Sequence, residues 1–118
     1  SMTPTIVEKD GELFLVAGSP GGSTIITSVY QTIANCAYYG MDLKDAIAAP
    51  KFHSQWLPDK LFLEQDRFPE EVINMLENKG HEIDYFYSLG RVDAIKVSDN
   101  GMLEVCGDPR GDDVGAGY

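Results

Sequence analysis

Gly21 and Gly22, within Gly18-Ser19-Pro20-Gly21-Gly22-Ser23, are the residues here best suited to stabilise a developing negative charge. Leu13-Phe14-Leu15-Val16-Ala17 precedes them and reads as a buried strand. Ile26, Val29, Tyr30, Ile33 and Ala37 follow at helical spacing. The pair therefore falls at a strand-to-helix junction. The first N–H groups of a helix lack intrahelical partners, and the helix dipole favours an anion there. Glycine also lets another atom approach the main chain closely. An oxyanion formed by attack on a carbonyl is a charge of that kind. A glycine turn that serves only tight packing looks the same, so local spacing leaves both roles open.

The other reactive side chains point to structural work. Ser19 and Ser23 flank the glycines and read as turn and cap residues, since no histidine lies beside them in sequence. His53, close to Trp56, reads as a packed, hydrogen-bonded side chain in an ordered loop, and His81 as an ordinary residue at a strand start. Two histidines and scattered carboxylates show no ligand spacing, so neither a metal nor a cofactor is expected. Asp108-Pro109-Arg110, followed by Asp112 and Asp113, reads as an ion-pair turn. Cys36 and Cys106 are expected to be buried free thiols, because two cysteines make no disulfide framework.

These groups must be positioned by a small scaffold. The chain has 118 residues, room for one domain or part of one. Its hydrophobic fraction of 43% can supply a core. The net charge of −10 argues against nucleic acid and against anionic membrane surfaces, both of which attract clustered cations. Thr5 to Lys9 and Leu13 to Ala17 should form a hairpin across Asp10-Gly11. A helix is expected from Ser23 or Thr24 to Tyr39, with either hydroxyl as cap and Gly40 as its stop. A short helix from Asp42 to Ala49 ends at Pro50, and residues 50–60 read as an ordered loop. Leu61-Phe62-Leu63 reads as a strand. Pro69 opens a helix with Val72, Ile73 and Leu76 on its buried face and Gly80 at its end. Ile83, Tyr85 and Tyr87 alternate as a strand, as do Val92 to Val97 and Met102 to Cys106 around Ser98-Asp99-Asn100-Gly101. The class is mixed α/β (α+β), with a largely antiparallel sheet and packed helices.

Five separated motifs carry a wider resemblance. They are Ser1-Met2-Thr3-Pro4-Thr5-Ile6-Val7, Gly18 to Thr27, Ala49 to Asp59, Asp108-Pro109-Arg110 and Ala116-Gly117-Tyr118. In this order they resemble the C-terminal part of the small subunit of γ-glutamyltranspeptidases, across all 118 residues. The resemblance implies an incomplete portion of an N-terminal-nucleophile hydrolase αββα sandwich. It implies that a catalytic threonine lies upstream of Ser1, that residues 1–118 are a C-terminal fragment, and that alone they are inactive. Gly21 and Gly22 match the family's oxyanion-hole pair. Ser1 matches the second serine of its Ser-Ser-Met motif, which binds the substrate's α-carboxylate; the same dipeptide start is also what a cleaved tag leaves. Lys51 stands where the family usually has arginine. The implied reaction is hydrolysis or transfer of the γ-glutamyl group of glutathione and related amides. The implied partners are the large subunit and the rest of the small subunit, and the implied location is periplasmic or extracellular. A homodimer is expected of the fragment by itself, through sheet edges and apolar surface left uncovered. A cephalosporin acylase of the same superfamily and a non-catalytic binding or assembly module are the competing possibilities.

Overall fold

The computed structural model describes residues 3–117. The order of elements is β1 (Thr5–Lys9), β2 (Glu12–Gly18), α1 (Thr24–Ala37), α2 (Leu43–Ala48), β3 (Phe52–His53), β4 (Leu61–Glu64), α3 (Glu70–Asn78), β5 (Ile83–Phe86), β6 (Asp93–Val97) and β7 (Leu103–Cys106). Asp10 and Gly11 both take positive φ, +54° and +82°, as a two-residue hairpin connection requires. The resulting β1–β2 pair is the edge of a four-stranded antiparallel sheet in the order β1-β2-β6-β7. A second sheet, β3-β4-β5, pairs β3 with β4 antiparallel and β4 with β5 parallel.

Strand alternation divides the first sheet into two unlike faces. Leu15, Ala17 and Ala94 point to the helices and are buried with Ile25, Val29, Cys36, Leu43, Ala46 and Ile47. On the opposite face the register aligns Ile6, Val16, Ile95 and Val105 in one row across all four strands. Ile6 is 69% exposed, and Ile95 and Val105 are each 40% exposed. One face is thus covered by α1 and α2, while the other presents an apolar row with no layer over it among the described residues.

Several sequence expectations change in the folded chain. The core face of α1 is Ile25, Ser28, Val29, Thr32 and Cys36, whereas Ile26 and Tyr30 are exposed. The helix carries two apolar stripes, and contact with the sheet, not periodicity, selects the buried one. Ser23 occupies the N-cap position without a capping bond from its side chain, and Thr24 turns its hydroxyl to the Gly21 carbonyl instead. The expected loop at 50–60 contains β3, too short to leave a periodic signal. Val72, Ile73 and Leu76 are only half-buried, and α3 buries no residue fully. Cys36 is buried, but Cys106 is half-buried; both are free thiols. β5 stops before Tyr87, whose side chain lies in solvent.

Leu15 is fully buried between the sheet and the helices. Leu15→Ala should cost about 2–5 kcal/mol, as cavity-forming core truncations do. Urea unfolding should show the lower midpoint with an unchanged slope.

Candidate functional site

The turn between β2 and α1 is built almost wholly from main chain. Gly21 adopts φ +132° and Gly22 φ +63°, conformations that L side chains rarely reach. The Gly21 carbonyl accepts from the Thr24 hydroxyl at 2.9 Å and from the Thr24 N–H at 3.4 Å. The Gly22 carbonyl accepts from the Ile25 N–H at 3.2 Å. Both carbonyls are thereby drawn into the first turn of α1. The N–H groups of Gly21 and Gly22 have no partner among the described residues, and both glycines are exposed. Two free donors at the positive end of a 14-residue helix can stabilise an anion. Gly21 lines a cleft together with Pro20, Thr24, Phe86, Leu89 and Arg91.

A buried ionic cluster holds the opposite wall of this cleft. Glu64, at the end of β4, is 2% exposed. Its carboxylate accepts from Arg110 Nε at 2.5 Å and Nη2 at 2.7 Å, from the Lys51 N–H at 2.8 Å and from the Leu89 N–H at 3.1 Å. Asp108, fully buried, accepts from the Val92 N–H at 2.8 Å and from Arg110 Nη1 at 3.1 Å. Arg110 also donates to the carbonyls of Ile47 and Ala49, the negative end of α2. Burial pushes the Glu64 carboxyl up, but Arg110 and the two N–H donors outweigh it and hold the group below the ordinary value. The expected ion-pair turn at Asp108-Pro109-Arg110 is therefore present. Its second carboxylate is Glu64, distant in sequence, while Asp112 and Asp113 pair with Arg91.

The remaining sequence candidates fall into place around this centre. His53 is packed as expected, 3% exposed, with Nδ1 against the Thr27 hydroxyl at 2.8 Å and Nε2 against Gln55 at 3.0 Å. Trp56 is exposed. No group of three histidine, cysteine or acidic residues suited to a metal occurs among the described residues. Ser1, the carboxylate-binding candidate, lies outside the described residues. Lys51 is 1% exposed, and its ammonium donates to the Ile47 carbonyl at 2.5 Å. Burial first, and then Arg110, lower its pKa to about 8.

Two pH effects follow, in separate windows, and in both stability rises with pH. Glu64 is depressed when folded, so its contribution is complete above the unfolded carboxyl value of 4.5 and is lost as pH falls through the folded value. Glu64→Gln should remove that acid-limb dependence and cost about 3 kcal/mol at neutral pH, because the buried Arg110 loses one of its two charge partners and keeps only Asp108 among the described residues. Lys51 gives up its proton near pH 8 when folded but near 10.5 when unfolded. Between these values the unfolded chain binds more protons, so stability should rise with pH, and Lys51→Met should flatten that rise. Denaturant titrations from pH 3 to pH 10.5 check both.

The chain matches the family described as gamma-glutamyltranspeptidase over residues 1–118. It is 46% identical over 119 residues to the glutathione hydrolase proenzyme of Escherichia coli K12, covering 100% of this chain and 20% of that protein. It spans about a fifth of the length of such relatives. Among solved structures, a Helicobacter pylori gamma-glutamyltranspeptidase mutant aligns at TM-score 0.88 and 44% identity, over 94% of this chain and 61% of that one. The gamma-glutamyltranspeptidase of Pseudomonas nitroreducens, complexed with L-DON, aligns at TM-score 0.89 and 36% identity, over 100% and 62%. Matched by the family over residues 1–118 and aligned with these structures over nearly its whole length, the chain belongs to the γ-glutamyltranspeptidase family and carries part of that family's N-terminal-nucleophile hydrolase fold.

Proposed function

We propose that this chain supplies the oxyanion hole of an enzyme that hydrolyses or transfers the γ-glutamyl group of glutathione and related γ-glutamyl amides. The observation that carries this reading is the pair of unpartnered N–H groups at Gly21 and Gly22, presented at the start of α1. In the complete protein a threonine upstream of Ser1 attacks the γ-carbonyl, and its own α-amine takes the hydroxyl proton. The carbonyl oxygen becomes an oxyanion, stabilised by the two glycine N–H groups. Collapse of the tetrahedral species expels the amine of the leaving group, which takes up a proton, and leaves a threonine ester. Water or an acceptor amine then attacks that ester through a second oxyanion in the same place. Ser1 would donate to the substrate's α-carboxylate.

The partners in this reading are the large subunit and the rest of the small subunit. The uncovered row Ile6, Val16, Ile95 and Val105 supports it, because a sandwich needs a second sheet against that face. No helix among the described residues is long and apolar enough to cross a membrane. A periplasmic or extracellular site of action is part of the same proposal. The hole stabilises charge but cannot attack, so the 118 residues alone should not turn over substrate.

The complete enzyme should release the amine of a chromogenic γ-glutamyl anilide, while the 118-residue chain gives only the background rate. Gly22→Ala is the informative variant, because an added Cβ meets no atom within 4 Å and the fold has room for it. At φ +63° the alanine costs about 1–2 kcal/mol of stability. Relief of that strain turns the backbone away from φ +63° and the N–H with it, which should lower acylation by up to about two to three orders of magnitude. A folded Gly22→Ala enzyme with parental acylation would remove the pair from the reaction.

A further inference from the structure

Each N–H of the glycine pair is one end of a rigid, planar peptide whose other end is a carbonyl. The Gly21 N–H shares its plane with the Pro20 carbonyl, and the Gly22 N–H shares its plane with the Gly21 carbonyl. In a trans peptide the N–H and C=O point in opposite directions, so whatever holds the oxygen aims the donor. Both oxygens are held by hydroxyls. Ser19 Oγ donates to the Pro20 carbonyl at 2.7 Å. Thr24 Oγ1 donates to the Gly21 carbonyl at 2.9 Å. Ser19 is fully buried and is itself fixed, since its oxygen accepts the Arg91 N–H at 3.1 Å, across 72 residues of chain. Thr24 is fixed by its place in the first turn of α1.

We propose that Ser19 and Thr24 are the positioning residues of the oxyanion hole, one hydroxyl setting the direction of each glycine donor. This rests on the oxyanion reading of Gly21 and Gly22. Glycine needs such restraints more than any other residue, because it has the widest choice of backbone conformations. Without them the two peptide planes could rotate, and their donors would meet a developing charge only after reorganising. A preorganised donor acts on the transition state more than on bound substrate. Loss of either hydroxyl should therefore lower kcat and leave KM nearly unchanged.

The test uses the complete enzyme with Ser19→Ala, Ser19→Cys and Thr24→Val, the last two keeping side-chain size. Each should lower kcat on a γ-glutamyl anilide by about tenfold to a hundredfold, less than direct loss of a donor. Affinity for a γ-glutamyl boronate, which forms a tetrahedral adduct with the nucleophile, should fall by a similar factor. Thr24→Ser should restore most of the Thr24→Val loss. Thr24 is only half-buried, so its variants carry the test even where a Ser19 variant does not fold. Parental kcat and boronate affinity in folded variants would overturn the proposal, as would a change confined to KM. Gly22→Ala measured alongside separates the two levels. If it loses activity while the hydroxyl variants do not, the hole stands and its proposed positioning fails. If it too is unaffected, the oxyanion reading itself fails.

Discussion

The arrangement of this chain depends on one buried carboxylate. Glu64 collects four donors, two from the Arg110 guanidinium and two from the main chain at Lys51 and Leu89. Taking ions out of water is costly, and a buried pair does not by itself make a fold more stable than an apolar core would. Here the cost is met by complete satisfaction: no buried side-chain polar atom lacks a partner among the described residues. The cluster makes a joint between elements that share few apolar contacts. Glu64 belongs to the smaller sheet, Arg110 closes the end of α2, and Asp108 fixes the N–H of Val92 just before β6. That joint orients Ser88 to Arg91, which forms the wall facing the glycine turn.

The same joint explains why a lysine can sit at position 51. Among the described residues its ammonium has only a carbonyl from Ile47 as direct partner, with Arg110 nearby. Asp108 and Glu64 favour its charge, but burial and Arg110 disfavour it more. A guanidinium would spread its charge over a plane and reach several acceptors. Lysine cannot, so the strain appears as a lowered proton affinity. The glycine turn is separated from this electrostatic tension because its own ligands are neutral hydroxyls and backbone.

Much of the scaffold was legible from short-range chemistry. Asp10-Gly11 announced the first hairpin, Gly40 and Pro50 bounded the helices, and the strand–glycine–helix succession placed Gly21 and Gly22 at a helix start. What was hidden depends on long-range contact. The partnership of Glu64 with Arg110 spans 46 residues, and nothing local distinguishes Glu64 from the chain's other carboxylates. The helical spacing of Ile26, Val29, Tyr30, Ile33 and Ala37 does not mark the buried face of α1, because Ser28 and Thr32 face inward, where composition suggests the surface. Thr32 is tolerated there because its hydroxyl donates to the Ser28 carbonyl at 3.1 Å. Ser19 gave no sequence signal beyond a turn. Its hydroxyl matters through the Arg91 N–H, which the pairing of β2 with β6, Gly18 opposite Asp93, brings to it across 72 residues of chain.

The proposed hole, made of peptide groups, places a particular demand on its surroundings. Side-chain donors can be locked by packing around their own atoms, but a glycine N–H has no side chain to grip. Its direction can be set only through neighbouring carbonyls and through the segments that carry them. The hydroxyl of Thr24 meets this demand from the helix, and that of Ser19 meets it from the sheet. Ser19 in turn depends on the loop at Arg91, whose flanking N–H groups at Leu89 and Val92 end on the carboxylates bound to Arg110. Stability and chemistry are therefore joined through a continuous set of hydrogen bonds. The buried charges of Glu64, Asp108 and Arg110 hold the wall, and the glycine turn itself offers neutral peptide donors.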